Sequence, residues 1–285
     1  MRIGIGLPAA VPGADMRLLG DWAAEAEAAG FDSVGVIDRL AYDNLEPLTA
    51  LAAAAARTTR VELLTTVLNV GWRRNAVLLA KQMASVDLLS GGRLTAGLGL
   101  GGWPDDYTAS GAPSDGFREL WDATLDTWRE AWGGKLTGQG GPMTQLPEGR
   151  PALLFGGLVP AAYRRAATHG EGWVAPLFGT ATLEQGANDV REAWQDAGRA
   201  GEPRIATGRY FALGADADSV ADDYIRHYYG DAYFDFARAD TLTTPAQLHD
   251  HLAGLRAAGA TDLVLYPASA KPDQVALLAD ALAAA

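Results

Sequence analysis

The sequence predicts an α/β protein of a single domain, a closed (β/α)8 barrel of the TIM type. Short apolar or β-branched segments alternate with segments of helical periodicity, and eight such repeats fit within the 285 residues. Strict alternation of strands and helices predicts a parallel sheet, and eight repeats of this length favour a closed barrel. A doubly wound open sheet is the competing fold.

The predicted strands are short apolar runs that end at glycine, proline or polar residues. The third is the most informative, because polar Thr65, Thr66 and Asn69 occupy its C-terminal half. A fully buried parallel strand is expected to be apolar throughout, so these polar groups indicate that its end faces a ligand. In chain order the strands are expected at 2–7, 31–37, 62–70, 93–101, 151–155, 172–174, 204–213 and 262–266.

The helices are predicted from apolar spacing and from residues that favour helix ends. Asp15 is expected to cap the first helix, which Gly30 ends, and Pro47 suits the first position of the second. Gly91 and Gly92 end the helix after the third strand. The second and later helices are expected at 47–57, 75–89, 117–132, 160–168, 183–199, 219–229, 245–258 and 273–283.

Three segments of the domain 1–285 do not fit the repeat and are predicted to be loops or insertions. Residues 103–116 are expected to be a loop, and the glycine- and proline-rich segment 133–150 a surface loop or a short hairpin. Segment 230–243 is aromatic with mixed charge, and no element is assigned to it.

Composition excludes several classes of function. The net charge is −12 and there is no basic run, so nucleic-acid binding is not expected. The absence of cysteine removes disulfides, thiol nucleophiles, iron–sulfur clusters and cysteine-ligated zinc. Neither a signal peptide nor an apolar segment long enough to span a membrane is recognisable, so we expect a cytoplasmic protein.

In a barrel of this kind the active site lies at the C-terminal ends of the strands. Asp38 and Arg39 follow the second strand, where the carboxylate would bind a substrate or ring, pair with Arg39, or cap a helix. Gly156 and Gly157 precede the helix at Pro160, where backbone N–H groups suit a phosphate or form an ordinary turn. Both sets of alternatives are open at this point.

The glycine-rich end of the fourth strand, Gly97 to Gly102, formally matches the dinucleotide motif GxGxxG. A Rossmann turn leads directly into a helix, whereas Trp103 and Pro104 intervene here. These glycines are better explained by the close approach of a flat ring or of the chain itself.

The remaining side chains at the strand ends favour a bound organic cofactor. None of the lysines lies in a strand, as a Schiff-base aldolase needs, and the histidines are expected to be structural or exposed. Only Asp38 is available to a metal, so no metal site is predicted. A mouth rich in glycine and aromatic residues suits a cofactor that carries the chemistry itself. Its aromatic residues are Tyr42, Trp72, Trp103, Tyr107, Phe178 and Tyr210, and all of them except Phe178 are predicted to line a substrate pocket.

Five stretches resemble the bacterial luciferase-like family of flavin- or deazaflavin-dependent oxidoreductases. No single motif is decisive, but their order and spacing over nearly the whole chain are specific. The stretches lie within 28–38, 74–82, 87–99, 154–173 and 244–265, and they include AAGFDS, DLLSGGR, LFGG and GATDLVL.

The resemblance implies a TIM barrel with a reduced cofactor at its C-terminal face, either coenzyme F420, the first choice, or FMN. It also implies a bulge with a non-prolyl cis peptide at Thr66-Val67 behind the ring, with Asn69 near the ring edge. Gly156-Gly157 and the turn at Phe178-Gly179-Thr180 match positions that hold the cofactor phosphate. The implied cofactor-binding residues are Thr66, Val67, Asn69, Gly99, Gly101, Gly156, Gly157, Gly179 and Thr180.

The chain departs from this family at two positions. Many deazaflavin members have Asp-His after the second strand, where this chain has Asp38-Arg39, and some have a glutamate after the fourth, where it has Gly102. Asp38 and Arg39 are the catalytic candidates, although arginine suits an anionic group better than proton transfer.

The expected function is the oxidoreduction of a small organic substrate, by hydride transfer with F420 or by oxygen activation with reduced FMN. A non-catalytic flavin- or deazaflavin-binding protein of the same fold is the alternative. We expect a homodimer, with a flavin reductase as partner if FMN is the cofactor.

Overall fold

Eight parallel strands close into a barrel, as the alternation of strands and helices predicts. The computed structural model describes residues 1–143, 146 and 149–284. An open, doubly wound sheet is excluded because the first strand of the chain pairs with both the second strand and the last, which leaves the barrel sheet without an edge. The barrel strands are β1 (Arg2–Gly6), β2 (Ser33–Val36), β3 (Glu62–Asn69), β4 (Leu94–Gly99), β7 (Ala152–Gly156), β8 (Gly172–Val174), β9 (Arg204–Phe211) and β10 (Asp262–Pro267), and a short hairpin supplies β5 (Thr137–Gly138) and β6 (Gly141–Pro142).

The helices surround the barrel, and those that the sequence predicts lie within a few residues of their predicted ends. Asp15 caps a 3-10 turn, Met16–Leu18, that leads into the first helix, and Asn75 caps the third. The helices are α1 (Leu19–Ala28), α2 (Pro47–Ala55), α3 (Ala76–Ser90), α4 (Pro104–Ser110), α5 (Phe117–Trp132), α6 (Pro160–His169), α7 (Thr180–Asp196), α8 (Ala217–Tyr229), α9 (Phe234–Ala239), α10 (Pro245–Ala257) and α11 (Asp273–Ala283).

Two of the three segments outside the repeat contain helices that the sequence does not indicate, and the third forms a hairpin, which is one of its two predicted alternatives. The prediction of a loop over 103–116 is wrong in part, because α4 begins at Pro104 and ends at Gly111, which has a left-handed φ. Two helical turns are too few for apolar periodicity to appear. Segment 133–150 forms the short hairpin β5–β6, while its residues 144, 145, 147 and 148 lie outside the described residues. Segment 230–243 contains a 3-10 turn and α9.

Charged side chains fill the N-terminal end of the barrel. Arg204 Nη1 donates to Glu62 Oε1 at 2.8 Å, and Arg204 Nη2 donates to Asp262 Oδ1 at 2.7 Å. Arg2 Nη2 donates to Glu62 Oε2 at 2.7 Å, and the Thr95 hydroxyl donates to the same carboxylate. Burial alone would raise the pKa of Glu62, but the hydrogen bonds and charge of Arg204 outweigh it and the pKa is lowered. These groups form one ion network across the bore.

Two tryptophans fix α5 against α3. Trp128 Nε1 donates to Ala76 O at 3.0 Å, and Trp132 Nε1 donates to Ala80 O at 3.2 Å. A buried indole of this size contributes a large apolar area and finds a partner for its N–H group. The opposite end of α5, at Phe117 and Trp121, is thereby held beside the barrel mouth, where both line a cavity. Among the described residues no helix is long and apolar enough to cross a membrane.

Candidate active site

The third strand carries the bulge and the cis peptide that the resemblance implies. The Thr66-Val67 peptide is cis, and the register of β3 against β4 shifts between Thr65 and Leu68. The Thr65 hydroxyl donates to Gly97 O at 2.7 Å, and the Thr66 hydroxyl is hydrogen-bonded to the Tyr266 hydroxyl. The polar groups of this strand therefore hold the bulge against its neighbours, while Val67 stays half-buried at the cavity wall.

Glycine in β4 makes room for this bulge. A Cβ atom at Gly99 would lie 2.5 Å from Val67 Cγ2, which is closer than side chains approach each other. Of the two explanations for the glycine-rich strand end, close approach of the chain itself is the one that the structure shows at this position.

Asp38 is fixed by groups other than its neighbour in sequence. Its side chain is fully buried, its Oδ2 accepts the Asn69 N–H at 2.7 Å, and both oxygens accept from the Arg73 guanidinium. The predicted alternative of a salt bridge with Arg39 is wrong, because Arg39 turns toward Asp106. Burial raises the pKa of Asp38, and the charge of Arg73 opposes this. The Asn69 side chain is oriented in turn, since its Nδ2 donates to Asp38 O at 3.0 Å.

Arg39 forms a second buried ion pair behind the mouth. Its Nε lies 3.1 Å from Asp106 Oδ2, and its guanidinium lies 4.0 Å from the ring centroid of Trp103. The rings of Tyr42 and Tyr228 are 5.4 and 5.7 Å away. A guanidinium among aromatic faces is stabilised electrostatically, so Arg39 organises the aromatic wall. Asp106 belongs to α4, the helix that the sequence did not predict.

A cavity of about 1250 Å³ lies at the C-terminal ends of the strands and continues outward between α5 and α6. It brings together most of the predicted site residues, with the bulge on one side and the turn after β7 on another. The predicted residues that line it are Asp38, Thr66, Val67, Asn69, Gly99, Gly101, Trp103, Gly156, Gly157, Phe178 and Tyr210.

Other predicted residues lie outside the cavity lining, and each has a local reason. The Tyr107 hydroxyl donates to Leu100 O at 2.6 Å, and the Tyr42 hydroxyl is bonded to His227 Nδ1 at 2.8 Å. Trp72 lies under the Arg73 guanidinium, at 3.9 Å. The N–H of Gly179 donates to Asp240 Oδ2 at 2.7 Å. The residues outside the lining are Arg39, Tyr42, Trp72, Tyr107, Gly179 and Thr180, and their roles toward a ligand stay predictions.

The turn after β7 presents a helix N-terminus to the cavity. Gly157 has a φ of +123°, and a Cβ atom there would lie 2.9 Å from Ala162 Cβ. Trp173 Nε1 donates to Gly157 O at 2.9 Å and so fixes the turn. No side chain of a described residue caps α6, whose first residue is Pro160. Backbone N–H groups at an uncapped helix N-terminus attract an anion.

Sequence reasoning missed two groups of lining residues. Tyr228 and Tyr229, at the end of α8, line the cavity, and the Tyr229 hydroxyl lies 3.0 Å from that of Tyr210. Burial raises the pKa of Tyr229, so its phenol stays protonated at neutral pH. The aromatic run before segment 230–243 was a usable signal. The second group, the arginines of α5 and α6, had no such signal because they look like ordinary helix surface.

The fold and the site define a (β/α)8 barrel protein with a cavity for an organic ligand at its C-terminal face. The luciferase-like monooxygenase family model matches residues 1–283, and the chain belongs to this family.

Curated relatives match parts of the chain. An uncharacterized protein from Mycobacterium tuberculosis is 31% identical over 179 residues, which cover 52% of this chain and 62% of that protein. The F420-dependent glucose-6-phosphate dehydrogenase of Kribbella flavida is 26% identical over 235 residues, which cover 73% of this chain and 70% of that enzyme. The match thus spans about three fifths of the length of the first of these relatives.

Solved structures share the fold over nearly the whole chain. The monooxygenase RslO1 from Streptomyces bottropensis superposes with a TM-score of 0.81 at 24% identity, covering 100% of this chain and 99% of its own. An F420-dependent secondary alcohol dehydrogenase in complex with an F420-acetone adduct gives 0.80 at 18% identity, covering 99% and 98%. The oxygenating constituent of 3,6-diketocamphane monooxygenase from Pseudomonas putida, in complex with FMN, gives 0.73 at 17% identity, covering 99% and 96%. At these identities the likeness shows the fold alone.

Proposed function

We propose that this protein is an oxidoreductase that binds a reduced deazaflavin, F420, in the cavity and transfers a hydride between it and a small organic substrate. The observation that carries the proposal is one continuous cavity that joins the bulge of β3 to the uncapped N-terminus of α6. A planar ring with a phosphate on a short chain needs both features. The curated relative that matches 73% of the chain and is named as F420-dependent supports F420 over FMN.

The residues present fit such a cofactor. Thr66 and Val67 would lie behind the ring and Asn69 at its edge, while the turn at Gly156 and Gly157 would hold the phosphate. When bound, the reduced ring supplies the hydride. Asp38 is a positioning residue in this scheme, because its oxygens already accept from Arg73 and from the Asn69 N–H. Its main-chain carbonyl accepts from Asn69 Nδ2 and so holds that side chain at the ring edge.

The tyrosines of α8 supply the polar contact to the substrate. Tyr229 stays protonated because burial raises its pKa, and its hydroxyl lies beside that of Tyr210 on the cavity wall. A neutral phenol donates a hydrogen bond to a substrate oxygen and stabilises the charge that develops there during hydride transfer. Arg39 holds the neighbouring Trp103 from behind and keeps water away from the ring.

Oxygen activation with reduced FMN is the second candidate, favoured by the family to which the chain belongs. In that case a flavin reductase would supply the reduced cofactor. A non-catalytic binding protein of the same fold is the remaining alternative.

We also propose a homodimer, because four apolar side chains of α3 are 41 to 64% exposed: Val77, Leu78, Leu88 and Leu89. Light scattering that gives a monomer mass would contradict the dimer.

A titration separates these functions. The purified apoprotein is titrated with F420 and with FMN, each oxidised and reduced, while ring absorbance and fluorescence are followed. Turnover is then measured with enones, imines and secondary alcohols. Tighter binding of F420 with turnover supports the proposal, and tight binding without turnover favours the non-catalytic alternative. Binding of neither cofactor contradicts both.

A matched pair of variants tests the site. Gly157→Ala introduces a Cβ atom into the turn at a φ that favours glycine, so we expect the dissociation constants of F420 and FMN to rise about tenfold. Gly254→Ala in α10 is the control, since a Cβ there meets no atom within 4 Å. If the two variants bind the cofactors with equal affinity, the phosphate does not bind at the turn of Gly157.

A further inference from the structure

The cavity extends past the turn at Gly157 into a groove between α5 and α6. We call this extension the arginine arm and define it by Arg118, Trp121 and Asp122 of α5 with Arg164 and Arg165 of α6, all of which line the cavity. An α-helix rises about 1.5 Å per residue, so Arg164 and Arg165 lie roughly 6 to 8 Å along α6 from Pro160. Side chains on a helix lean toward its N-terminus, and these two therefore lean toward the turn.

The three arginines of this arm form no hydrogen bond and no ion pair with any residue that the structure describes. Most arginines of the described chain donate to a carboxylate or a carbonyl, as the ion network at the barrel base does. Those that make neither a hydrogen bond nor an ion pair to a described residue are Arg118, Arg164, Arg165 and Arg256. Three of these four line the same cavity. In a chain of net charge −12, acidic partners are plentiful, so unpaired cations gathered in one groove point to an anionic ligand.

The local charge of the arm is positive. Asp122 is its one lining carboxylate, and set against the three arginines it leaves two positive charges. The Arg165 guanidinium lies 4.5 Å from the ring centroid of Trp121, a cation–π contact that holds it in place without neutralising it. His169, which also lines the cavity, has a pKa lowered by burial and then by the charges of Arg129 and Arg165. The charges of Asp122 and Asp126 oppose this shift without reversing it.

We propose that the arginine arm binds the carboxylates of a cofactor tail that continues beyond the phosphate at Gly156 and Gly157. This inference rests on the proposed function. FMN ends at its phosphate, whereas F420 carries a lactyl group and a chain of glutamates past it. A run of carboxylates matches separate guanidinium groups spaced along a helix. The arm is then the part of the cavity that distinguishes F420 from FMN.

Binding is measured by ring fluorescence with four compounds at low and high salt. They are the deazaflavin with its ribityl chain alone, F420 without glutamates, F420 with several glutamates, and FMN. We expect the glutamate-rich form to bind wild-type protein about tenfold more tightly than the form without glutamates, with the advantage shrinking at high salt. The triple variant Arg118→Gln/Arg164→Gln/Arg165→Gln should lose this advantage. Arg256→Gln, which removes an unpaired arginine of α10, should retain it.

Several results would overturn the inference while leaving the proposed function intact. One is equal affinity of wild-type protein for the two forms of F420. Another is a triple variant that binds FMN as weakly as it binds F420, each relative to wild-type protein. That result would mean that the arginines bind the phosphate itself. A third is weakened binding of the compound without phosphate, since that would mean that the arginines support the fold. Failure of all four compounds to bind wild-type protein would instead contradict the proposed function.

Discussion

At the N-terminal end of the barrel, Glu62 accepts hydrogen bonds from Arg2, Arg204 and Thr95, and Arg204 also binds Asp262. At the C-terminal end, Asp38 binds Arg73 while orienting Asn69 at the cavity wall, and the arginines of the arm form no hydrogen bond or ion pair with a described residue. The same residue types occur at both ends. In barrels of this kind the N-terminal end serves stability and the C-terminal end serves chemistry. In this chain the charged side chains of the N-terminal end are paired with one another, whereas those of the arm at the C-terminal end are left for a ligand.

The largest expected effect is at the base of the barrel. Glu62→Gln would remove one of the two carboxylates that bind the mostly buried Arg204 and leave it with Asp262, and breaking such a pair costs about 3 kcal/mol of the free energy of unfolding. Cofactor affinity of the folded protein should stay unchanged, because this network is far from the mouth. Urea unfolding and a cofactor titration check the two statements. If Glu62→Gln weakened cofactor binding and left stability unchanged, the division between a stabilising N-terminal end and a functional C-terminal end would be wrong.

Asp38→Asn is the matching change at the mouth. It leaves the Arg73 charge with Glu46 alone, at 3.2 Å, so we expect a loss of about 2 kcal/mol in the free energy of unfolding. In contrast to Glu62→Gln, it should also raise the dissociation constant of the cofactor about tenfold, because the carboxylate that joins Arg73 to the Asn69 N–H group beside the cavity is lost. The same two measurements apply. A loss of stability with unchanged cofactor affinity would mean that Asp38 has a purely structural role.

Tyr229→Phe separates a residue of the mouth that acts on the substrate from residues that bind the cofactor. The change removes one hydroxyl from the cavity wall and its 3.0 Å contact with Tyr210. We expect kcat/KM to fall about tenfold while the dissociation constant of the cofactor stays within twofold, since the hydroxyl acts on the substrate. Tyr163→Phe is the control, because Tyr163 is buried in α6 outside the cavity lining. An equal effect of both variants would point to packing.

The smallest expected effect is a change in how the free energy of unfolding depends on pH, and it concerns Glu27 at the base of the barrel. Burial alone would raise the pKa of Glu27, but hydrogen bonds from the N–H groups of Val61, Arg60 and Thr59 lower it to about 2. Because the pKa is lower in the folded state, the charge stabilises the fold above the unfolded pKa of about 4.5, and this contribution is lost as the pH falls toward 2.

The variant Glu27→Gln keeps an acceptor but does not titrate. Its free energy of unfolding should therefore decline less steeply than that of wild-type protein below about pH 4.5, with a difference of about 1 kcal/mol. Urea unfolding at a series of pH values measures this, with Glu25→Gln on the exposed side of α1 as the control. Parallel pH profiles for wild-type protein and Glu27→Gln would contradict the assignment.

The fold could be predicted because its signals are local. Helix ends at Asp15, Pro47 and Gly91, and apolar runs such as β3, lie within a few residues of what they determine. The bulge at Thr66-Val67 was also predictable, but only through the resemblance to a family. Segment 103–116 shows the limit, since α4 is too short to display periodicity and its Asp106 is revealed only by its distant partner.

The details of the site depend on contacts between residues far apart in sequence. Asp38 pairs with Arg73 and Arg39 with Asp106, and in both cases the sequence offered a closer partner, namely each other. The arginine arm had no local signal at all. Arg118 and Arg164 look like solvated helix surface until the fold places α5 and α6 along the same cavity.

The ion network at the base of the barrel has a consequence for the order of binding. With Glu62 and Arg204 filling the bore, the mouth is the opening through which ligands reach the bulge in the described part of the chain. A ring lying on Thr66 and Val67 would be covered by whatever enters after it. Cofactor and substrate would then follow a compulsory sequence, with the cofactor first to arrive and last to leave.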